Sequence, residues 1–225
     1  MSIFDNIIPE DILFQTEDVC ILKPEVKKGV LVYHSYNSKY PNIIQEGLKS
    51  NRVLLESGLT QVCRVPHKCI FFRAPYHSPF LNKSDIDYTD PVQEIASVYP
   101  LSEQKLEKDF FKNKIWIRVD PRHTYIFSSE IRDIFLYPEL YQKPHMINNS
   151  RKSMLDYFKT LEENHKIIES NPGKHYIYNL YSSKVELRDT YPFHFKLPLN
   201  PHSIKKNSEV LVETPHLEPH HFVRI

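Results

Sequence analysis

Four glycines in 225 residues, Gly29, Gly47, Gly58 and Gly173, set the first limit on what this chain can fold into. A phosphate-cradling loop needs two or more glycines within about six residues, so that backbone N–H groups can close on the anion. These four are too far apart to build either common loop. A nucleotide bound by this chain is therefore held in some other way.

The rest of the composition narrows the class further. Hydrophobic residues make up 40%, charged residues 25% and aromatic residues 12%, a globular profile rather than a disordered one. A chain of this length buries about 70% of the surface its unfolded form exposes and needs no staples. Lys and Arg total 29 against 28 Asp and Glu, for a net charge of +1. That balance excludes a polyanion binder driven by bulk charge and leaves room for a local basic groove. The longest apolar runs, such as Ile70-Phe71-Phe72, are too short to span a membrane, so no membrane partner is expected. Met1-Ser2-Ile3-Phe4-Asp5 lacks the basic start and apolar core of a signal peptide, and Cys20, Cys63 and Cys69 are odd in number. Both features point to a reducing, cytoplasmic setting.

Residues 1–29, with Pro9 and Pro24, read as a lead-in that packs on the domain. Val30-Leu31-Val32-Tyr33-His34 is β-branched and aromatic and reads as a strand entered through Gly29. Pro41 suits a first helical position, Ile43, Ile44 and Leu48 supply an apolar face, and Gly47 ends the helix. Residues 49–68 read as loop, and Cys69-Ile70-Phe71-Phe72 as a buried strand closed by Pro75 and Pro79. A polar stretch over 82–100 precedes a short helix capped by Ser102. Strands are expected at Ile115–Val119, ended by Asp120-Pro121, and at Thr124–Phe127. The strongest helical pattern covers 151–169, where Met154, Phe158, Leu161, His165 and Ile168 recur at four- and three-residue steps before Asn171-Pro172-Gly173. In Glu209–Glu213 the alternation puts Val210 and Val212 on one face and Glu209, Leu211 and Glu213 on the other. His221–Ile225 reads as a closing strand. No repeat or linker breaks the series, so the expectation is one α+β domain over 1–225.

Two tempting constellations carry no chemistry. His216, Glu218, His220 and His221 have the right residue types for a metal, but Pro215 and Pro219 break the helix that would align them, and no metal is expected. No serine sits in a G-x-S-x-G elbow, and Cys63 and Cys69 read as small buried hydrophobes. Glu209 is more informative. A carboxylate in an apolar strand ordinarily faces water, but this chain also has a strand ending in Tyr33-His34 and a phenylalanine-rich strand.

Val32-Tyr33-His34-Ser35, followed by Ile43-Ile44-Gln45-Glu46-Gly47-Leu48, resembles the first motif of the ADP-ribosyltransferase superfamily. Ile70-Phe71-Phe72-Arg73-Ala74-Pro75 with Ser78-Pro79-Phe80-Leu81 is similar to the second motif of the DarT-like DNA ADP-ribosyltransferases. Ser208-Glu209-Val210-Leu211-Val212 resembles the strand that carries that family's catalytic glutamate. The three fall in the family's order and span residues 32–213. The resemblance implies two small packed β-sheets with NAD, the substrate, in the cleft between them.

It also implies roles. Breaking the nicotinamide–ribose bond makes an oxocarbenium-like sugar, which a carboxylate stabilises while a base takes the acceptor's proton. Glu209 is the candidate for that carboxylate, with Glu213 replacing it if the register slips. His34 is the candidate ligand of the nicotinamide-side ribose, followed by Ser35 and Tyr36, the latter standing where many relatives carry threonine. Phe71 or Phe72 would face the nicotinamide ring; adjacent strand positions point oppositely, so only one can, and Phe72 carries slightly more weight. Arg52 and Arg64 are both candidates for the pyrophosphate. Residues 114–132 are structured but carry no assigned role. The implied acceptor is a nucleobase in single-stranded DNA, with RNA or a protein side chain as alternatives. The rival readings are an NAD-dependent RNA 2′-phosphotransferase and a non-catalytic NAD-, ADP-ribose- or nucleic-acid-binding module of the same fold.

Overall fold

Short runs of β-branched and aromatic residues make eleven strands within residues 3–36, 42–58, 69–74, 111–128, 162–171, 175–182, 184–188 and 208–225, the parts that the structure, a computed structural model, describes. In chain order they are β1 (Ile12–Gln15), β2 (Cys20–Leu22), β3 (Val30–Ser35), β4 (Leu48–Lys49), β5 (Cys69–Arg73), β6 (Lys114–Val119), β7 (Tyr125–Ser128), β8 (His175–Asn179), β9 (Val185–Arg188), β10 (Ser208–Glu213) and β11 (His216–Leu217). Helices are few among the described residues: α1 (Ile43–Glu46), α2 (Asn51–Glu56) and helical residues 162–170, here α3. This is a mixed α+β architecture built on antiparallel pairing.

Nine strands form one sheet in the order β1-β2-β6-β3-β5-β10-β7-β8-β9, and β4 pairs with β11 in a separate two-stranded ladder. The expected pair of small packed sheets is not seen among the described residues, because all nine strands are linked edge to edge in one sheet. The links are unequal. β3 and β6 share six residue pairs and β5 and β10 share five, whereas β3 and β5 meet at the single pair Tyr33/Arg73. The middle of the sheet is thus a narrow seam, and β2 and β6 likewise meet at one pair, Ile21/Val119.

Alternation gives the sheet one strongly apolar face. Val30, Val32, Ile70, Phe72, Ile117 and Val212 all point into a single buried cluster, joined by Ile168 from α3. Asn164 on α3 is also buried, and its Oδ1 accepts the Val185 N–H at 3.0 Å, so the helix is tied to β9 without an orphaned amide. On the opposite face Cys69, Ile177 and Leu211 form a smaller cluster with Phe71 and Tyr125. Arg118 is 2% exposed, and its Nη1 donates to the Gly29 carbonyl at 2.8 Å. Gly29 admits this approach because a Cβ there would lie 2.5 Å from the Val119 carbonyl oxygen and 2.8 Å from Arg118 Cγ.

The strands expected at 30–34, 69–72, 115–119, 124–127 and 209–213 are β3, β5, β6, β7 and β10. The Gly47 stop is also present: φ is +85° and its N–H bonds the Ile43 carbonyl. Four expectations need correction. The lead-in 1–29 supplies β1 and β2, and Phe4, Ile7 and Val19–Leu22 are core residues, because Ile21 pairs with Val119 at the edge of β6. Residues 49–56 are not loop: Leu48 and Lys49 pair with β11, and α2 follows. His175–Arg188 forms a hairpin where no strands were expected. At the C-terminus, Pro219–His221 turns as a 3-10 helix, so of the strand expected at 221–225 only Val223 pairs, in a bridge to Trp116. The helix expected over 151–169 is described from 162 onward. The helix expected after Ser102 lies outside the described residues, as do Pro41, Cys63, Arg64 and Pro75–Leu81.

Candidate functional site

The three segments singled out by residue type lie on strands that are neighbours in space. β3 carries His34, β5 carries Phe71 and Phe72, β10 carries Glu209, and the sheet order is β3-β5-β10. Between β3 and β10 the chain runs some 170 positions, so this adjacency is a product of the fold alone. Direct pairing links Trp116, Tyr33, Arg73, Glu209, Phe127 and Ile177 into one cross-sheet row. Glu209 enters by its ladder position, between Arg73 and Phe127 and on the face shared by Leu211 and Glu213.

His34 belongs by alternation to the other face, with Val30 and Val32. Its ring reaches across to β5 at the seam, where Nδ1 lies 2.8 Å from the Phe71 carbonyl oxygen. A carbonyl can only accept, so Nδ1 carries the proton and, in the neutral ring, Nε2 holds a lone pair. Burial lowers the pKa of this imidazole, opposed by the bond to Phe71. The neutral form, an acceptor at Nε2, is therefore favoured. The Phe72 ring stands edge-on to His34 with centroids 6.0 Å apart. Two strand spacings separate β3 from β10, so the His34 and Glu209 backbones lie roughly 10 Å apart. An imidazole and a carboxylate at these positions share a ligand only if it enters the seam.

The other expected residues scatter. Ser35 is exposed and pairs with Lys114; Tyr36 is half-buried against the main core, its N–H bonded to the Asn113 carbonyl. Phe72 is fully buried in the main core, while half-buried Phe71 lies on the Glu209 face. The preference for Phe72 as the ring facing a ligand is thus reversed, because a residue filling the core has no free face to offer. Arg52 is exposed on α2 and its Nε donates to Glu56 Oε1 at 2.8 Å, an i,i+4 pair on a solvated helix. Arg64 lies outside the described residues.

Arg73 and Lys114 were missed by sequence reasoning. Arg73 is exposed beside Glu209 in the row, and Lys114 Nζ sits 5.4 Å from the centre of the Tyr33 ring. The hint was available for Arg73, which occupies the same face as Phe71 in an otherwise apolar strand. In the histidine-rich tail, His216 Nε2 lies 2.7 Å from the Glu46 carbonyl oxygen and Nδ1 2.9 Å from Glu218 Oε1, so both nitrogens are engaged. No helix among the described residues is long and apolar enough to cross a membrane. Compared with protein-family models, curated proteins and solved structures, the chain matches none.

Proposed function

We propose that this chain is an NAD-dependent ADP-ribosyltransferase whose reaction centre straddles the seam between β3 and β5. The observation that carries the reading is the consecutive order β3-β5-β10, which gathers three separately recognised segments on neighbouring strands. The one-pair ladder between β3 and β5 supports it, since a sheet that parts there can admit a ligand without breaking a long ladder. In this reading the nicotinamide ribose lies across the seam and His34 Nε2 accepts a hydrogen bond from one of its hydroxyls. The bond from ribose C1′ to the nicotinamide nitrogen breaks, and its electron pair leaves with nicotinamide. The acceptor's lone pair forms the new bond to C1′, and its proton passes to the Glu209 carboxylate. The same carboxylate stabilises the cationic sugar before attack. Phe71, on the Glu209 face, is the ring that meets nicotinamide.

A second reading is a module of the same fold that binds NAD or ADP-ribose without turnover. The observation favouring it is that alternation sends His34 and Glu209 to opposite faces. One experiment separates the two: incubation with NAD labelled in the adenylate, in the presence of single-stranded DNA, RNA and mixed protein. Label transfer that Glu209→Gln abolishes supports the enzyme. Transfer that the variant retains refutes the catalytic role of Glu209, and binding of NAD with neither transfer nor nicotinamide release supports the module.

A further inference from the structure

β3 and β10 both run antiparallel to β5, so both leave the sheet at the end where β5 begins. At that end the chain after β3 folds as α1 and β4, the chain after β10 bends at Pro215 into β11, and the two segments pair with each other. His216 lies opposite Lys49 and Leu217 opposite Leu48, and the Ser50 N–H donates to the Pro215 carbonyl at 2.9 Å. Leu48 and Leu217 are buried in the main core, so this ladder is anchored. The strand of His34 and the strand of Glu209 are thus joined a second time, beyond the seam.

One side chain closes the junction. His216 Nε2 lies 2.7 Å from the Glu46 carbonyl oxygen at the end of α1, and Nδ1 lies 2.9 Å from Glu218 Oε1. Both partners are acceptors, so both nitrogens must carry protons for both bonds to form, and only the imidazolium has two. Gly47 admits the ring, since a Cβ there would lie 2.5 Å from Nε2. The Thr214 hydroxyl donates to the His216 carbonyl at 2.8 Å and fixes the residue from behind. Among the described residues, the other titratable groups around the ring come from three elements. They are the Glu46 carboxylate on α1, Lys49 on β4 at 3.7 Å from it, and His220 and His221 in the turn that Glu218 opens. Burial lowers the His221 pKa, and repulsion from His220 and His216 lowers it further, which favours its neutral form.

We propose that His216, as the imidazolium, is a positioning residue for the site at the seam: it clasps the segment leaving β3 to the segment leaving β10 and so sets the separation of His34 and Glu209. Loss of one proton leaves one bond of the two, and the clasp loosens as pH rises through the range in which imidazoles titrate. The effect on turnover rests on the ADP-ribosyltransferase reading above; the clasp and its dependence on a proton do not.

The test is NMR on the isotope-labelled full chain between about pH 5.5 and about pH 8, with the variants His216→Gln and Glu218→Gln. At the acid end both ring nitrogens of His216 are expected to show protonated shifts, their signals identified by absence from His216→Gln. Amide exchange gives the second readout. At about pH 5.5 the Gly47 and Ser50 amides should exchange about fivefold faster in His216→Gln than in wild type, the equivalent of one hydrogen bond, and the Tyr33 and Arg73 amides at the seam should follow. At about pH 8, where each ring or amide supplies one bond, the two proteins should agree within about twofold. Glu218→Gln keeps an acceptor and removes the charge, and that side chain caps nothing in its own turn. It is expected to lose about half of the acid-end protection, and it carries the same comparison if His216→Gln does not fold. A single ring proton at the acid end overturns the proposal, as does acid-end exchange that neither variant changes. Loosening confined to Gly47 and Ser50, with Tyr33 and Arg73 unmoved, also overturns it, by making the ladder structural only. Label transfer from NAD that His216→Gln leaves unchanged at about pH 5.5 refutes the positioning role. A wild type that transfers no label while its seam exchange follows His216 refutes the enzyme reading and supports the clasp.

Discussion

His34 is the residue whose two ring nitrogens have separable jobs, and substitutions can divide them. Nδ1 donates to the Phe71 carbonyl at 2.8 Å beside the single β3–β5 residue pair. His34→Leu removes that bond. An intramolecular hydrogen bond contributes about 1 kcal/mol, and its loss costs up to about 3 kcal/mol when the group is fully buried. Partial burial places the expected loss at about 1–2 kcal/mol, or a melting temperature lower by roughly 2–8 °C for a domain of this size. His34→Asn retains an N–H close to the position of Nδ1 and has nothing at Nε2. It is expected to recover at least half of the stability while leaving NAD binding as weak as in the leucine variant. Differential scanning fluorimetry reads the first effect and calorimetric titration with NAD the second. If the asparagine variant melts with the leucine variant, the bond to Phe71 does not hold the seam. If it binds NAD like wild type, Nε2 has no part in the site.

Three further outcomes follow from the same geometry. Phe72 is fully buried, so Phe72→Ala should cost about 3–5 kcal/mol in urea denaturation, while Phe71→Ala on the half-buried face should cost less than half of that; equal losses would remove the distinction between the two rings. Burial lowers the pKa of both His34 and His221 from the ordinary 6.5, so the unfolded chain binds more protons than the folded one as pH falls below that value. Their contribution is complete above about pH 6.5 and lost below it, and the urea midpoint should fall between about pH 7.5 and 5.5 by less in His34→Asn/His221→Gln than in wild type; an unchanged difference would exclude these two groups as its source. Burial pushes the thiols of Cys20 and Cys69 up to about 11 and about 12. In a Cys63→Ser background neither should react with a disulfide reagent near about pH 8 until the protein is unfolded, and fast labelling of the native protein would show that the thiols are accessible.

How much of this was legible depends on whether the signal is local. β3, β5, β6 and β10 were readable because each is a run of five or six residues in which burial alternates or is continuous, and alternation alone gave the correct faces of Val210, Leu211 and Val212. β1 and β2 were not, since their buried side chains are interrupted by Thr16-Glu17-Asp18 and bounded by Lys23-Pro24, a pattern that is polar when read along the chain and apolar only when Ile21 lies against Val119. β4 is two residues long and exists because His216-Leu217, far along the chain, lies beside it. The expected strand at the C-terminus failed for the opposite reason: His221-Phe222-Val223 has strand-like residues, but the turn begun by Pro219 leaves only Val223 positioned to pair. His175-Tyr176-Ile177-Tyr178 does carry an aromatic, β-rich signal in its local sequence.

The site divides in the same way. That Glu209 shares a face with Leu211 follows from a period of two, and that Gly47 ends α1 follows from its conformational freedom. That Arg73 stands next to Glu209 follows only from β5 and β10 pairing across more than a hundred residues. Residue identity could name an imidazole and a carboxylate, but their relation is set by the seam, where β3 and β5 keep one residue pair and the His34 ring bridges the gap. A full ladder there would hold the two groups on opposite faces of a closed sheet. The chemistry proposed for this chain therefore depends less on either residue than on the sheet parting between β3 and β5.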